Sequence, residues 1–212
     1  MRYPPDHKEK TRARILEAAG RTFRRDGYSA TGVDAVMAEA GLTAGAFYGH
    51  FSSKDDLLHA TIKNSFENAR HLREQNLDGL EGLDWIFGLI DNYLSIGHFE
   101  SVEVGCPLPA LAPELGRGNS HLRRSFERQL TQWASELEGR LTSALREAGN
   151  QRAETEIRGL AYGVISTLVG AMTLARSMPT AEKAHRVLEG ARRTARGAVA
   201  HEAAVPFDPA PS

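Results

Sequence analysis

The chain has 212 residues, of which 41% are hydrophobic and 25% charged, and its formal net charge is −1 at pH 7. This length suffices for one substantial core or for a small module fused to a larger one. A single cysteine excludes an intrachain disulfide framework and a cysteine zinc cluster, and bulk charge carries no sign of nucleic-acid binding.

Charge distribution does carry a sign. Residues 1–25 hold eight lysines and arginines against three acidic residues, a balance suited to phosphate contact and equally to a solubilising helix face. Within this stretch a first helix is expected from Lys8 to Arg25, with Ile15, Leu16, Ala19 and Phe23 inward and Gly27 ending it. Pro4, Pro5 and charged residues stand where a signal peptide needs an apolar run. No stretch approaches membrane-spanning length, the most apolar, Gly163 to Ala175, being too short. A cytoplasmic protein is expected.

Residues 31–58 hold two short helices, a glycine turn and a third helix start. Thr31 is expected to cap the first helix, with Asp34 in the capping-box position. Val33, Val36, Met37 and Ala40 line its inner side, and Gly41 follows as the C′ residue. Thr43 is expected to cap a second helix of about two turns, and Ser53 with Asp56 to open the third. Two short helices about a glycine turn form a helix-turn-helix unit, whose second helix enters the DNA major groove. Ala44, Gly45 and Ala46 are small enough for close approach to base edges. Thr31, Thr43, Tyr48, His50 and Lys54 offer phosphate contacts, Thr11, Gly32 and Gly49 complete the candidate DNA set, and Phe47 and Phe51 anchor the helix inward. The competing reading is a solvated helical hairpin in an all-α domain.

A helix from Lys54 to about Leu72 carries Leu57, Leu58, Ile62, Phe66 and Ala69, and Asp78 to Gly82 is a break. A further helix with Leu83, Ile86, Phe87, Ile90, Tyr93 and Leu94 is expected to end near Gly97. Residues 97–120, with four glycines and three prolines, leave room for one short helix from Leu108 to Leu115, and Asn119 or Ser120 caps the next. Cys106 directly precedes that short helix. It reads either as a thiol activated at a helix N-terminus or as a small buried hydrophobe. Leu122, Phe126, Leu130, Trp133, Leu137, Leu141 and Leu145 then step by 4, 4, 3, 4, 4 and 4, one long apolar stripe ended by Gly149 and Asn150.

The helix from about Glu154 to Met178 is apolar or small on more than one face. It must be buried on both sides, either within its own domain or against a second copy of itself. Leu160, Val164 and Leu168, with Val187 and Ala191 of the last helix, are the candidate dimer contacts. The tail 203–212, rich in proline, is expected to be disordered.

Residues 10–58 resemble the TetR family of bacterial transcriptional repressors. The resemblance rests on Thr11 to Ala19, Phe23, Gly27-Tyr28, Thr31, Val33, Ala40-Gly41-Leu42, Thr43, Gly45, Phe47-Tyr48, His50-Phe51, Lys54 and Leu57. Gly49 and Ala44 depart from the larger residues many members carry there, which shifts weight from base readout to backbone contact and DNA shape. The resemblance implies an all-α homodimer that binds a palindromic double-stranded operator and releases it when a small-molecule inducer occupies the C-terminal domain. It also places a dimer interface on the last two helices. It puts a ligand pocket among the middle helices, for which Phe66, Trp85, Tyr93, Cys106, Trp133 and Tyr162 are the candidates, although each is also ordinary core material. Some TetR-like repressors that respond to electrophiles or oxidants resemble the chain at Cys106, so a redox-sensing repressor stays open. So does a non-switching architectural DNA-binding protein.

The expected organisation is a helix-turn-helix domain at 1–53, a ligand-binding and dimerisation domain at 54–202 and the tail. No enzyme is expected. The eight histidines include no pair at helical ligand spacing, and neither a phosphate-cradling glycine loop nor a Gly-x-Ser-x-Gly elbow occurs, so no metal or cofactor is implied.

Overall fold

A computed structural model describes residues 5–150 and 153–204. In chain order the helices are α1 (Pro5–Asp26), α2 (Val33–Glu39), a 3-10 segment (Ala44–Gly49), α3 (Lys54–Asn76), α4 (Gly82–Tyr93), α5 (Ile96–Glu100), α6 (Leu108–Arg117), α7 (Ser120–Glu147), α8 (Glu154–Arg176) and α9 (Ala181–Ala203). The fold is all-α, with no strand among the described residues. Two compact units emerge: residues 1–70 with 102–129, and residues 71–101 with 130–212.

The first unit packs around Ile15, Ala19 and Phe23 of α1, Val36 and Met37 of α2, Phe47, Phe51, and Leu57, Leu58 and Ile62 of α3. Leu111 and Leu115 of α6 and Leu122 of α7 join the same core. At seven and six residues, α2 and the 3-10 segment are far below the ~12–15 residues at which an isolated helix becomes even marginal. Burial holds them. Each of Val36, Met37, Phe47 and Phe51 contributes roughly 1.5–3 kcal/mol, against a few tenths of a kcal/mol for helix propensity.

Glycine and short polar side chains define the helix ends. Gly27 (φ 85°) and Gly41 (φ 65°) hold the left-handed conformation that ends α1 and α2. Ser53 caps α3, its Oγ accepting the Asp56 N–H at 3.0 Å. The Asp56 carboxylate reaches the Ser52 N–H instead, at 2.9 Å, so the reciprocal half of the box closes one residue early. Thr31 does not cap α2. Its hydroxyl donates back to the Gly27 carbonyl at 2.7 Å, and the N-cap is Gly32, with no side-chain bond. Thr43 stands at the N-cap of a 3-10 segment, not an α-helix, and its side chain makes no cap bond either.

Within the second unit α8 and α9 pack against each other. Arg196 of α9 reaches Asp91 of α4 at 2.7 Å and lies 4.4 Å from the Phe87 ring centroid, while Arg192 donates to the Leu94 carbonyl at 2.8 Å. The helix expected to run to Gly97 stops at Tyr93. Leu94 leaves the helical region (ψ 21°), and Ser95 restarts α5 as an N-cap whose Oγ accepts from the His98 N–H. Pro113 sits inside α6 without ending it, and the helix continues to Arg117. Asn119 caps α7, its Oδ1 accepting from the N–H groups of His121 and Leu122 at 3.0 Å. Ala203 belongs to α9, and Ala204 closes it with φ 53°; the rest of the tail expected to be disordered, 205–212, lies outside the described residues.

One face of α8 carries Ile157, Ala161, Val164, Ile165, Leu168, Ala171, Met172 and Ala175, all buried in the second unit's own core. Val164 and Leu168 are therefore core residues at 2% and 0% exposure, not an outer contact face. The outer face carries Gly159, Tyr162, Gly163, Ser166 and Leu174. Against the expectation that no stretch approaches membrane-spanning length, α8 over its 23 residues is long and apolar enough to cross a membrane by length and composition alone. Its inner face is that of a core helix.

Candidate nucleic-acid interface

The 3-10 segment stands on two aromatic posts. Phe47 and Phe51 are 1% and 2% exposed, with ring centroids 5.8 Å apart, and Tyr48 meets Phe47 edge-on at 5.2 Å. With both posts inward, Thr43, Ala44, Gly45, Tyr48 and Gly49 face solvent, Tyr48 at 76% exposure. Ala46 and His50 are half-buried. Apart from that edge-on contact with Phe47, the Tyr48 side chain is mostly exposed between small residues. This is a surface shaped for a close, hydrogen-bonding partner.

Two arginines of α1 brace this surface, a role the sequence reading missed. Arg14 donates to the Ala40 carbonyl at the end of α2 at 2.7 Å. Arg12 donates to the His50 carbonyl at 2.8 Å and lies 4.2 Å from the Phe51 ring centroid. Both satisfy carbonyls left over at helix ends, where positive charge is also favoured. Arg21 pairs with Glu39 at 3.0 Å, and Arg24 and Arg25 bind Glu103 through its carbonyl at 2.7 Å and its carboxylate at 2.8 Å. Most of the basic N-terminal charge is thus spent inside the unit; Lys8 and Lys10 remain exposed, and Arg2 lies outside the described residues.

The other candidates divide by burial. Gly32 is exposed. Thr11 and Thr31 are 8% and 3% exposed, and their hydroxyls donate to the carbonyls of His7 and Gly27. The Lys54 amine lies 4.2 Å from the Tyr28 ring centroid, and burial foremost lowers its pKa against the pull of Glu114 and Asp55. Burial, then the charges of Lys8, Arg12 and His7, lower the pKa of His50.

Of the candidate ligand residues, Trp85, Tyr93 and Trp133 are buried in the second unit, with Tyr93 and Trp133 stacked at 6.0 Å. Arg140 lies 4.5 Å from the Trp85 ring centroid, and His98 meets Tyr93 edge-on at 4.6 Å. Tyr162 does not join them; it lies on the outer face of α8 at 36% exposure. Phe66 and Cys106 belong to the first unit, Phe66 packed on its core and Cys106 buried at 8% exposure. A cavity of about 180 Å³ in the second unit is lined by Leu145, Glu156, Ile157, Leu160 and Glu202, and so takes in the candidate dimer residue Leu160.

His98 sets a pH dependence. Burial foremost lowers its pKa, with Arg176 adding to the effect and the hydrogen bond to the Tyr93 carbonyl opposing it. Its folded pKa lies below the unfolded value of about 6.5. The unfolded chain therefore takes up the proton first, and stability present above pH ~6.5 is lost as pH falls below it. His50 and His59 are shifted in the same direction. Thermal melts should show a lower midpoint at pH 5.5 than at pH 7.5, and a smaller difference for His98→Gln. An unchanged wild-type midpoint would contradict the burial of these rings in solution.

Residues 15–61 match the family described as bacterial regulatory proteins, TetR family, and residues 82–191 match the tetracyclin repressor-like C-terminal domain. The chain belongs to the TetR family. It is a DNA-binding, helix-turn-helix transcriptional regulator. Among its TetR-family relatives, the transcriptional regulator LmrA of Bacillus subtilis (strain 168) is 28% identical over 161 residues, 73% of this chain and 84% of that protein. The transcriptional regulator TtgR of Pseudomonas putida is 36% identical over 72 residues, a match spanning 34% of each chain. A TetR transcriptional regulator from Chloroflexus aurantiacus J-10-FL superposes with a TM-score of 0.74 at 27% identity, covering 88% of this chain and 94% of that one.

Proposed function

We propose that this TetR-family regulator is a cytoplasmic homodimeric repressor that holds a palindromic duplex operator and releases it when a small molecule occupies its C-terminal domain. The observation that carries the DNA half is the solvated 3-10 segment braced by Phe47, Phe51, Arg12 and Arg14. In this reading Tyr48, Thr43, His50 and Lys54 meet phosphates and Ala44, Gly45 and Ala46 lie nearest base edges, while Thr11 and Thr31 act as buried supports. In the division at residue 53, 1–53 carries the DNA contacts other than Lys54, and 54–202 carries Lys54 at its start and then the ligand and dimer contacts. The burial of Cys106 favours a packing role over a thiolate sensor, which needs access to solvent.

Dimerisation is supported by the outer face of α8 and α9. Nothing lies within 4 Å of where a Cβ would stand at Gly159, Gly163, Gly170 or Gly190. Each glycine inside a helix costs about 0.8–1 kcal/mol relative to alanine, and nothing in the chain requires these. Close approach by a second copy does. Contacts then fall on Gly163, Ser166, Val187 and Ala191, not on Val164 and Leu168.

Switching is proposed to run through α3 and α7, each of which has its first part in one unit and the remainder in the other. Two recognition elements must stand about 34–36 Å apart to enter successive major grooves, so a ligand need only favour a different spacing. A coupling of about 1–3 kcal/mol would lower operator affinity roughly 5–150-fold, and operator must weaken the ligand equally. The test begins with selection of duplexes from a randomised pool, which should enrich one palindrome. A compound that raises the thermal midpoint is then titrated by calorimetry with and without that duplex. Equal ligand affinity in both would leave a constitutive DNA-binding protein.

A further inference from the structure

α6 lies 80 residues and more beyond the turn between α1 and α2, yet it belongs to the same compact unit. Leu111 and Leu115 set its inner face in the core, which brings Glu114 to the edge beneath that turn. There its Oε1 accepts the Tyr28 N–H at 2.9 Å, and its Oε2 accepts the Ser29 N–H at 2.8 Å together with the Ser29 hydroxyl. The carboxylate fits because residue 27 is glycine. A Cβ there would stand 2.9 Å from Glu114 Oε1.

The neighbouring contacts converge on the same turn. The Tyr28 hydroxyl donates to Asp55, and Asn119, between α6 and α7, donates to the other oxygen of Asp55 at 2.8 Å. The Tyr28 ring in turn carries the Lys54 amine. Upstream of α6, Arg24 and Arg25 bind Glu103. Residues 103–119 are therefore tied to the DNA-binding unit on both sides of Glu114. Burial opposes ionisation of Glu114, but the Ser29 and Tyr28 donors outweigh it and hold its carboxyl below the usual range, so it is charged at neutral pH.

We infer that Glu114 is a positioning residue for DNA binding: from α6, it fixes the turn from which α2 and the 3-10 segment leave α1. Both α2 and the 3-10 recognition segment hang from this turn, and its backbone N–H groups at 28 and 29 lie past the last turn of α1. With the carboxylate removed, water takes these donors and the turn gains freedom. Phosphate contacts set register only while their spacing holds, so loosening the turn erodes specific binding more than non-specific attraction. The inference rests on the DNA-binding reading of the 3-10 segment.

The test uses the full chain, a duplex that the wild-type protein selects from a randomised pool, and an unrelated duplex of equal length. Glu114→Ala should lose on the order of tenfold in affinity for the selected duplex, a typical size for indirect effects. Glu114→Gln, which keeps one acceptor oxygen, should lose less. Affinity for the unrelated duplex and the salt slope should stay at wild-type values, since no phosphate-binding cation is removed. Ser29→Ala should weaken the selected duplex in the wild-type background and add little to Glu114→Ala. Circular dichroism at the assay temperature must show folded protein, because a merely structural residue leaves the affinity of fully folded protein unchanged. Wild-type affinity in folded Glu114→Ala would overturn the inference. Should Glu114→Ala not fold, wild-type affinity in both Glu114→Gln and Ser29→Ala would do the same. If the wild-type protein enriches no duplex, the DNA-binding reading falls, and this role of Glu114 with it.

Discussion

Gly163→Leu is expected to give a well-folded monomer, whereas Val164→Asp, one residue along, should unfold the second unit. The contrast follows from the two faces of α8. Position 163 is exposed and has no neighbour within 4 Å of a Cβ, so a side chain starting there leaves the core undisturbed and gains up to about 1 kcal/mol of helix propensity. Across a two-fold axis the same side chain appears twice, and overpacking at about 1–3 kcal/mol per site sums to roughly 2–6 kcal/mol per dimer. That is roughly 30-fold to 10⁴-fold in the dissociation constant at about 1.4 kcal/mol per factor of ten. Val164 is 2% exposed in the core, and an unpaired carboxylate there costs several kcal/mol, comparable with the whole stability of a domain. Light scattering with thermal melts separates the two. Dimeric Gly163→Leu at wild-type concentration dependence would remove the outer face of α8 from the interface.

Tyr48→Ala and Lys54→Ala are both expected to weaken binding to the selected duplex, but with different salt signatures. Tyr48 is 76% exposed and packs only edge-on against Phe47, so its removal leaves the fold intact. A hydrogen bond to a charged phosphate contributes about 1.5–3 kcal/mol, and two protomers lose one each, for a fall of roughly 100-fold or more. The substitution removes no cation, so the dependence of affinity on salt should keep its slope. Lys54→Ala removes a cation, and the slope should fall by about one per protomer. Gel-shift titrations at several salt concentrations read both quantities. Unchanged affinity for Tyr48→Ala would remove the 3-10 segment from the DNA surface.

Local chemistry made much of this protein legible from its sequence. Gly27, Gly41, Gly149, Ser53 and Asn119 end or start helices where their residue types predict, because capping and left-handed turns depend on groups within about four residues. The apolar stripe of α7 follows from period alone, and the register from Thr11 to Leu57 carried the family. Where two local partners compete, local pattern stops deciding. Thr31 has the spacing of a cap, yet its hydroxyl turns back to Gly27, four residues earlier. Ser95 splits a continuous apolar run because a serine cap and a helical continuation are both locally allowed. Only tertiary structure decided which face of α8 meets its own core, since small and apolar residues lie on both faces and period cannot tell a self-contact from a partner. It alone assigned Arg12 and Arg14 to carbonyls near the recognition segment and Glu114 to a turn 85 residues earlier. A charged side chain in sequence announces that it needs a partner; which partner it meets is set by how the buried leucines and phenylalanines bring distant helices together.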